Sequence, residues 1–214
     1  MRHIDLEVWP RREHFNMFST FDYPHFSMCA KVDLTTFYHA VRQHNTSFTI
    51  STVYVLARVA NAIPQFRQRI RGREVIEHEI VHPSTTFLTD QELFSFCTTD
   101  YTEDYWSFAA KVAAQIAYLK EHPSLEDEPG RDDLLYMTPI PWVSFTSFMH
   151  PIHMHPVDSV PRFAWGKLFE DGESLKMPLS VQGHYVLMDG VHVGRFYADV
   201  QSYLNHPDSI LAKV

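Results

Sequence analysis

Segments with helical periodicity alternate with segments of strand periodicity along this chain, and this alternation constrains the fold more than any other feature. The stretch SLKMPLSVQGHYVLM favours a strand, and GVHVGRFYADVQSYLNH directly after it favours an amphipathic helix. The clearest helix is predicted in TEDYWSFAAKVAAQIAYLKEH, where apolar side chains recur every three or four positions: Tyr105, Phe108, Val112, Ile116 and Leu119. The pattern predicts an α/β protein.

Two further helices precede that one. Asp33 is placed to cap VDLTTFYHAVRQHN, and FTISTVYVLARVANAIPQF predicts a largely buried helix that ends near Pro64. Strands are predicted in REVIEHEIVHPSTTFLT, QELFSFCTTD, PWVSFTSFMH and RFAWGKLFE, and EDGE predicts a hairpin turn after the last of them. Because several strands follow one another directly, we expect a two-layer α/β sandwich, a mixed β-sheet covered by helices, in a single domain of residues 1–214.

Composition narrows the possible partners and the compartment. The formal net charge of −8 argues against nucleic acid, because phosphate binding needs a basic surface. No apolar run is long enough to cross a bilayer, so we expect no membrane association. Cys29 and Cys97 are too few for a disulfide framework, and two free thiols fit a reducing compartment. The charged start MRHIDLEVWPRREHF lacks the apolar core of a signal peptide, which predicts a cytoplasmic location.

His184 and Asp189 lie close together in GHYVLMDGVHVGR, a spacing that could serve acid–base chemistry. An imidazole can take a proton from a substrate hydroxyl near neutral pH while the carboxylate orders the turn. The chain has 14 histidines, however, and so short a pattern also arises by chance. In the predicted strand PWVSFTSF, Thr146 and Ser147 fall on opposite faces. A hydroxyl there either bonds to a neighbouring strand or, beside a cleft, could donate to a developing oxyanion.

The tract HPIHMHP raises the question of a metal site at His150, His153 and His155. On a strand, His153 and His155 would share a face and could both bind a metal ion. Two prolines interrupt the tract, no cysteine or carboxylate accompanies it, and no zinc-site spacing is completed. We therefore expect no metal ion.

Several segments, taken together and in order, resemble the chloramphenicol acetyltransferase family through nearly the whole chain. They are VWPRREHF, LARVANAIPQFR, VIEHEIVHP, PWVSFTSF and MPLSVQGHYVLMDGVHVGRF. The resemblance implies a CoA-dependent acyltransferase-like fold and a homotrimer with active sites at the subunit interfaces. It also implies acetyl-CoA as co-substrate and a small-molecule alcohol, chloramphenicol or another, as acceptor.

The resemblance also implies roles for particular residues. In the family a histidine deprotonates the acceptor hydroxyl, a serine steadies the tetrahedral intermediate, and an aspartate pairs with an arginine. The serine corresponds to Ser147, the aspartate to Asp189 and the arginine to Arg11. Phe18 stands where the acceptor pocket often has a tyrosine, and Ala164 stands where well-known members have a threonine. No residue is assigned to cofactor binding.

The position of the family's base departs from the pattern. The family has two adjacent histidines before the Asp-Gly turn, and the second is the base; here the pair is His184 and Tyr185. A phenol, with a reference pKa of about 10, is a poor base at neutral pH. His184 would need a bulge or a register shift to reach the same cleft. Three hypotheses follow: an O-acetyltransferase impaired by loss of the histidine, a catalytically silent trimer that binds a small molecule or a protein, or an engineered or allelic loss of function.

Overall fold

The computed structural model describes residues 1–125, 128 and 130–212. Strands and helices are interleaved along these residues, and no helix among them is long and apolar enough to span a membrane. The elements, in chain order, are β1 (Arg2–His3), α1 (Arg12–Phe18), β2 (His25–Asp33), α2 (Thr35–Gln43), α3 (Phe48–Ala62), α4 (Pro64–Arg67), β3 (Gln68–Arg71), β4 (Glu74–Glu77), β5 (His82–Leu88), β6 (Phe94–Thr98), α5 (Tyr105–Glu121), β7 (Leu134–Ile140), β8 (Arg162–Gly166), β9 (Phe169–Asp171), β10 (Ser174–His184), α6 (Gly190–Asn205) and α7 (Asp208–Leu211).

Most strands belong to one seven-stranded sheet in the order β2–β10–β8–β7–β5–β6, with β9 paired to the start of β10. The β5–β7 and β7–β8 pairs are parallel and the other pairs are antiparallel, so the sheet is mixed. A smaller antiparallel sheet has the order β1–β4–β3. The hairpin predicted at EDGE is the β9–β10 connection, where Gly172 has a φ of 65°. The predicted α/β fold with a mixed sheet is confirmed.

Helices cover one face of the large sheet and form the main apolar core with it. β10 contributes Met177, Leu179 and Val181 to this core, each at most 1% exposed. Helix α3 is buried almost all round, because apolar residues occupy most of its positions. The predicted faces of α5 and α6 lie in the same core, fully buried except for the partly buried Ile116: Tyr105, Phe108, Val112 and Leu119 of α5, and Val193, Phe196, Val200 and Leu204 of α6.

The strand predicted at PWVSFTSFMH is wrong: residues 141–150 form no strand, and β7 lies just before them. Pro141 lacks the N–H that a strand ladder needs, which accounts for the end of β7 at this point. Beyond the proline, backbone groups bond to side chains of the sheet. The carbonyl oxygen of Phe148, for example, accepts hydrogen bonds from the hydroxyls of Ser27 and Ser180.

Two other local expectations also change. Residues 151–160 contain no strand, so the two-residue spacing of His153 and His155 does not place them on one strand face. Within the described part of the chain, no group of three or more His, Cys, Asp or Glu side chains could hold a metal ion. Asp33, the predicted N-cap of α2, is the last residue of β2, and its carboxylate accepts hydrogen bonds from the backbone N–H and hydroxyl of Thr35.

The face of β10 turned away from the helices carries polar side chains that are nevertheless buried. Ser180, Gln182 and His184 are each 2% exposed. Residues 141–160 supply backbone groups that bond to this face. The side-chain oxygen of Gln182, for instance, accepts a hydrogen bond of 2.7 Å from the backbone N–H of His150. The polar face therefore satisfies the backbone of a segment that has no strand partner of its own.

Three histidines at this polar face have lowered pKa values, because burial penalises the charged imidazole. Burial, with a smaller contribution from the neighbouring His25, lowers the pKa of His184 to about 3. Burial, with the nearby charge of Arg162, lowers the pKa of His150 to about 4. Burial also lowers the pKa of His25, although its hydrogen bond to the carbonyl oxygen of Asp158 acts in the opposite direction. All three are neutral in the folded protein at pH 7.

Arg69 in β3 ties the smaller sheet to the start of β7. Its side chain is 0% exposed. The guanidinium donates to four backbone carbonyl oxygens, those of Phe66 (2.9 Å), Gln68 (2.6 Å), Asp132 (2.6 Å) and Leu134 (2.6 Å). A buried charge persists only when its donors are satisfied in this way. Arg69 is thus a structural element of the fold.

We expect the free energy of unfolding to fall as the pH drops from about 7 to about 5. In the unfolded chain these imidazoles take up protons near pH ~6.5, whereas His150 and His184 stay neutral in the folded state, so acid favours unfolding. Urea denaturation at several pH values in this range measures how steeply the free energy of unfolding changes with pH. His184→Asn should give a shallower slope than the unaltered protein, and equal slopes would contradict this account.

Arg69→Met should lower the free energy of unfolding by at least about 3 kcal/mol, because it leaves several buried carbonyl groups without donors. In a chain of this size that loss corresponds to a fall in Tm of roughly 6–12 °C, measurable by calorimetry. Arg12→Met is the matched control. Arg12 is exposed and pairs with Glu7 at the surface (2.8 Å), so its loss should cost at most ~1 kcal/mol. Similar Tm values for the two variants would show that the buried network contributes little.

Candidate functional site

The chain after β10 forms a tight turn, residues 185–189, that leads into α6. The backbone N–H of Tyr185 donates to the carbonyl oxygen of Pro24 (2.9 Å), which extends the β2–β10 pairing by one residue. The N–H of Leu187 then donates to the carbonyl oxygen of His184 (2.9 Å), which reverses the chain. The turn thus begins at a fixed point on the sheet.

Apolar packing holds the turn from the side of the smaller sheet. Val186 and Leu187 are 0% exposed and form a second apolar cluster with Ile70 and Val75. Partly buried residues from the start of the chain complete this cluster: Ile4, Leu6, Trp9, Phe15 and Phe18. The position of the turn therefore depends on the smaller sheet and on α1.

Arg11, just before α1, reaches the turn with its whole guanidinium group. Its Nε donates to the carbonyl oxygen of Val186 (3.0 Å), and its Nη2 donates to that of Tyr185 (2.7 Å). Its Nη1 donates to Oδ2 of Asp189 (2.7 Å). The arginine is 7% exposed, so this contact is largely shielded from water. One planar side chain thereby fixes the backbone on both sides of Tyr185 and the carboxylate that ends the turn.

Asp189 also caps α6. Its Oδ1 accepts a hydrogen bond from the N–H of Val191 (3.2 Å) and lies 3.0 Å from Nδ1 of His192, with which it forms a capping box. Burial alone would raise the pKa of Asp189, but the hydrogen bond and charge of Arg11 outweigh burial and lower it. The carboxylate is therefore ionised and committed to Arg11 and to the helix N-terminus, which leaves it poorly placed to act as a base.

The Tyr185 ring lies on the helix side of the sheet in an aromatic cluster. It stacks on Phe18, with ring centroids 5.0 Å apart and planes 19° apart, and it contacts Phe26 at 4.6 Å. Phe21 packs edge-on against Phe18 at 5.1 Å. Tyr185 is half-buried, so part of the ring remains accessible. The cluster holds the ring in one orientation and offers an apolar surface beside the phenol.

His184 lies on the opposite, polar face of the sheet. It is 2% exposed, its Nδ1 accepts a hydrogen bond from the N–H of Val186 (3.2 Å), and its ring meets that of His25 at 4.7 Å. No bulge turns it towards the aromatic cluster, since its register partner across β2 is His25. His184 and Tyr185 thus occupy different environments, as their adjacent positions at the end of a strand imply.

Ser147 is exposed and lies in a different part of the chain's surface from Tyr185. Its neighbour Phe148 is bonded to Ser180, which precedes Tyr185 by five residues on β10. Five residues of strand span about 16 Å, which is the separation of Ser180 and Tyr185 along β10. The segment of Ser147 bonds to the polar face of β10, whereas the Tyr185 ring lies on the helix side. Ala164, 0% exposed, lies beside Ser180 in the register of β8 and β10. The fold of the single chain therefore brings Tyr185 together with Arg11, Asp189 and Phe18, but not with Ser147 or Ala164.

Two clefts on the surface lie elsewhere. One of about 540 Å³ lies between α2 and the end of α6, where His39, Gln43 and Asn205 are among its lining residues. The other, of about 390 Å³, is lined mainly by charged side chains such as Arg71 and Asp132. Neither is lined by Tyr185 or Ser147. These clefts do not join the two groups of candidate residues.

Sequence reasoning missed two residues of this site, Phe26 and His25, which flank the end of β10. A signal for them was present: HFSMCAKVD alternates apolar and more polar residues at period two, as a half-buried strand does. With β2 predicted, the apolar Phe26 would be placed on the helix side of the sheet. His192, the capping partner of Asp189, could likewise be found from its position three residues after an N-cap.

Comparison with known proteins identifies the relatives of this chain. A sequence model described as chloramphenicol acetyltransferase matches residues 1–201. A chloramphenicol acetyltransferase of Klebsiella sp is 30% identical over 203 residues, which cover 94% of this chain and 92% of that protein. One of Streptomyces acrimycini is 31% identical over 213 residues, covering 95% and 94% respectively.

Solved structures agree in fold. A chloramphenicol acetyltransferase superposes with a TM-score of 0.83 at 24% identity, covering 95% of this chain and 99% of that one. A dihydrolipoamide acetyltransferase of Azotobacter vinelandii has a TM-score of 0.69 at 17% identity, covering 94% and 88%. The fold is that of the CoA-dependent acyltransferases, and this chain belongs to the chloramphenicol acetyltransferase family.

Proposed function

We propose that this protein transfers an acetyl group from acetyl-CoA to a hydroxyl of a small molecule, chloramphenicol or another alcohol, in the cytoplasm. Membership of the chloramphenicol acetyltransferase family over residues 1–201 carries the proposal. The geometry of the turn supports it, because Arg11 and Asp189 fix the backbone around position 185 at the edge of an accessible aromatic surface. No metal ion takes part in the proposed reaction.

The site we propose lies between protomers of a homotrimer. Within one protomer the residue after Ser147 is anchored at Ser180, about 16 Å along β10 from Tyr185 and on the other face of the sheet, which separates the two residues from a common substrate. The segment that carries Ser147 also exposes large apolar side chains: Trp142 is 65% exposed, Val143 52% and Met149 48%. Apolar surface of this kind is typical of a subunit interface. A neighbouring copy that covers the segment would bring its own Tyr185 to this Ser147.

In the proposed reaction the acceptor hydroxyl loses its proton to a base at position 185 and attacks the thioester carbonyl of acetyl-CoA. The hydroxyl of Ser147 donates a hydrogen bond to the oxyanion of the tetrahedral intermediate. The intermediate then expels the CoA thiolate, which takes up the proton, and leaves the acetyl ester. Asp189 and Arg11 touch neither substrate; they hold the turn. With a phenol in place of an imidazole, the first step is slow near neutral pH.

A second function, a catalytically silent trimer that binds a small molecule or a protein, is favoured by one observation. The Tyr185 ring packs against Phe18 and Phe26, as a side chain that lines an apolar binding surface would. In that case the family's scaffold is retained for binding and transfer is lost. The two functions differ in whether any acetyl transfer depends on position 185.

Tyr185→His should raise acetyl transfer to chloramphenicol by roughly 10²–10⁴-fold near neutral pH, because general-base assistance is worth that much. Transfer by the unaltered protein should be slow near neutral pH, because a neutral phenol is a weak base. Release of the CoA thiol gives the rate. Tyr185→Phe is the matched control, since it keeps the ring and removes the hydroxyl. Rapid turnover by the unaltered protein that Tyr185→Phe leaves unchanged would place the base elsewhere.

Mixed trimers test the shared site. Protomers with Ser147→Ala and Tyr185→His together have a base but no oxyanion donor, and unaltered protomers have the donor but no histidine. Each kind alone should be slow. When the two kinds are co-refolded in equal amounts, about three quarters of the trimers contain both kinds. In each mixed trimer, one of the three sites combines an unaltered Ser147 with a histidine at position 185. About a quarter of all sites should therefore regain the activity of Tyr185→His. Sedimentation of the co-refolded mixture checks that it is trimeric. No gain on mixing would place both residues in a site within one protomer.

A further inference from the structure

The segment that carries Ser147 is held to the sheet by side chains. The hydroxyl of Ser27 donates to the carbonyl oxygen of Phe148 (2.8 Å), and the hydroxyl of Ser180 donates to the same oxygen (3.1 Å). The two hydroxyl oxygens are 2.9 Å apart. Phe148 directly follows Ser147, so this pair of hydroxyls fixes the Phe148–Met149 peptide group, one residue beyond the exposed serine.

Gln182 adds a second point of attachment two residues further along. Its side-chain oxygen accepts from the N–H of His150 (2.7 Å), and its amide nitrogen donates to the carbonyl oxygen of the same residue (3.4 Å). Ser180 and Gln182 alternate on β10 and therefore face the same side. Both are 2% exposed, which shields these bonds from competition by water. The strand that ends beside Tyr185 thus also holds the segment of Ser147.

We propose that Ser27 and Ser180 are positioning residues for Ser147, an inference that rests on the proposed function. A preorganised donor must lie within about 0.5 Å of its productive position to stabilise an oxyanion. Ser147 lies in a segment without strand pairing, so its position depends on the few bonds that anchor its neighbours. Ser27 and Ser180 act on the Phe148 peptide, and they set the rate by placing the Ser147 hydroxyl.

The arrangement is redundant. The carbonyl oxygen of Phe148 has two lone pairs, and the two hydroxyls have one proton each. Both hydroxyls can donate to the carbonyl, or one can donate to the carbonyl while the other donates to its neighbour. If either serine is removed, the other still holds the carbonyl. Loss of both leaves a partly buried carbonyl without its anchor, so the effects of the two substitutions are strongly non-additive.

The test compares Ser27→Ala, Ser180→Ala and the double variant, in the unaltered protein and in Tyr185→His. Each single variant should lower kcat by less than about threefold, and the double variant by about tenfold or more, with KM for both substrates changed less than about twofold. Hydrogen exchange of a peptide covering residues 143–150 should be faster in the double variant only. Ser95→Ala is the matched control. Ser95 is a serine, 1% exposed, that accepts a hydrogen bond from the backbone of Ser124, in another part of the fold.

A background that lacks Ser147 separates positioning from a merely structural role. In Ser147→Ala, the double substitution should lower kcat no further, because the anchors act only through that hydroxyl. If the double substitution lowered kcat by the same factor in the Ser147→Ala background, the inference would be overturned. It would also be overturned if the double variant showed unchanged hydrogen exchange at residues 143–150, or a kcat equal to that of Ser95→Ala. Absence of transfer by both the unaltered protein and Tyr185→His would instead refute the proposed function, and this inference with it.

Discussion

Strand β10 is buried on both faces, and the rest of the structure depends on that constraint. Its apolar side chains, such as Leu179 and Val181, lie under the helices, while Ser180, Gln182 and His184 lie under the irregular segment 141–160. A strand covered on one side only could leave its polar residues in water. Here each of these buried polar groups has a partner: the backbone of the covering segment bonds to Ser180 and Gln182, and the N–H of Val186 bonds to His184. The same alternation separates His184 from Tyr185 and so decides which of them borders the aromatic cluster.

Arg11 joins the two ends of the chain at this strand. Its partners Tyr185, Val186 and Asp189 follow it by 174–178 residues. Such contacts form only when the start of the chain, the smaller sheet and the end of β10 have all assembled. The buried guanidinium then holds two carbonyl groups and one carboxylate in a fixed geometry. In the proposed trimer each β10 therefore contributes to two sites: the turn held by Arg11 at its end serves one, and the Ser147 segment anchored at Ser180 serves the other.

Sequence patterns predicted the α/β class, the faces of α5 and α6, and the β9–β10 hairpin, because burial of apolar faces and turn chemistry are local properties. They failed at residues 141–150, where period-two alternation suggested a strand. Alternation measures which side chains can be buried, but not whether a neighbouring strand is available to pair with the backbone. After Pro141 the partners include the side chains of Ser27, Ser180 and Gln182, which come from distant parts of the chain. Strand β2, by contrast, has an alternation that could have predicted it.

By itself, the sequence determined the fold class and the resemblance to a family of acetyltransferases, and it led to the hypothesis that Tyr185 stands at the position of that family's base. These depend on residue types, their spacing and their order. Only the tertiary structure decided that Tyr185 stacks on Phe18 and contacts Phe26, and that His184 is buried against His25. It also decided that the segment of Ser147 is anchored at Ser180, about 16 Å along β10 from Tyr185. The physical reason is that register and face are set by long-range pairing: the position of a side chain on β10 depends on β2, β8 and the segment 141–160, and no local pattern contains that information.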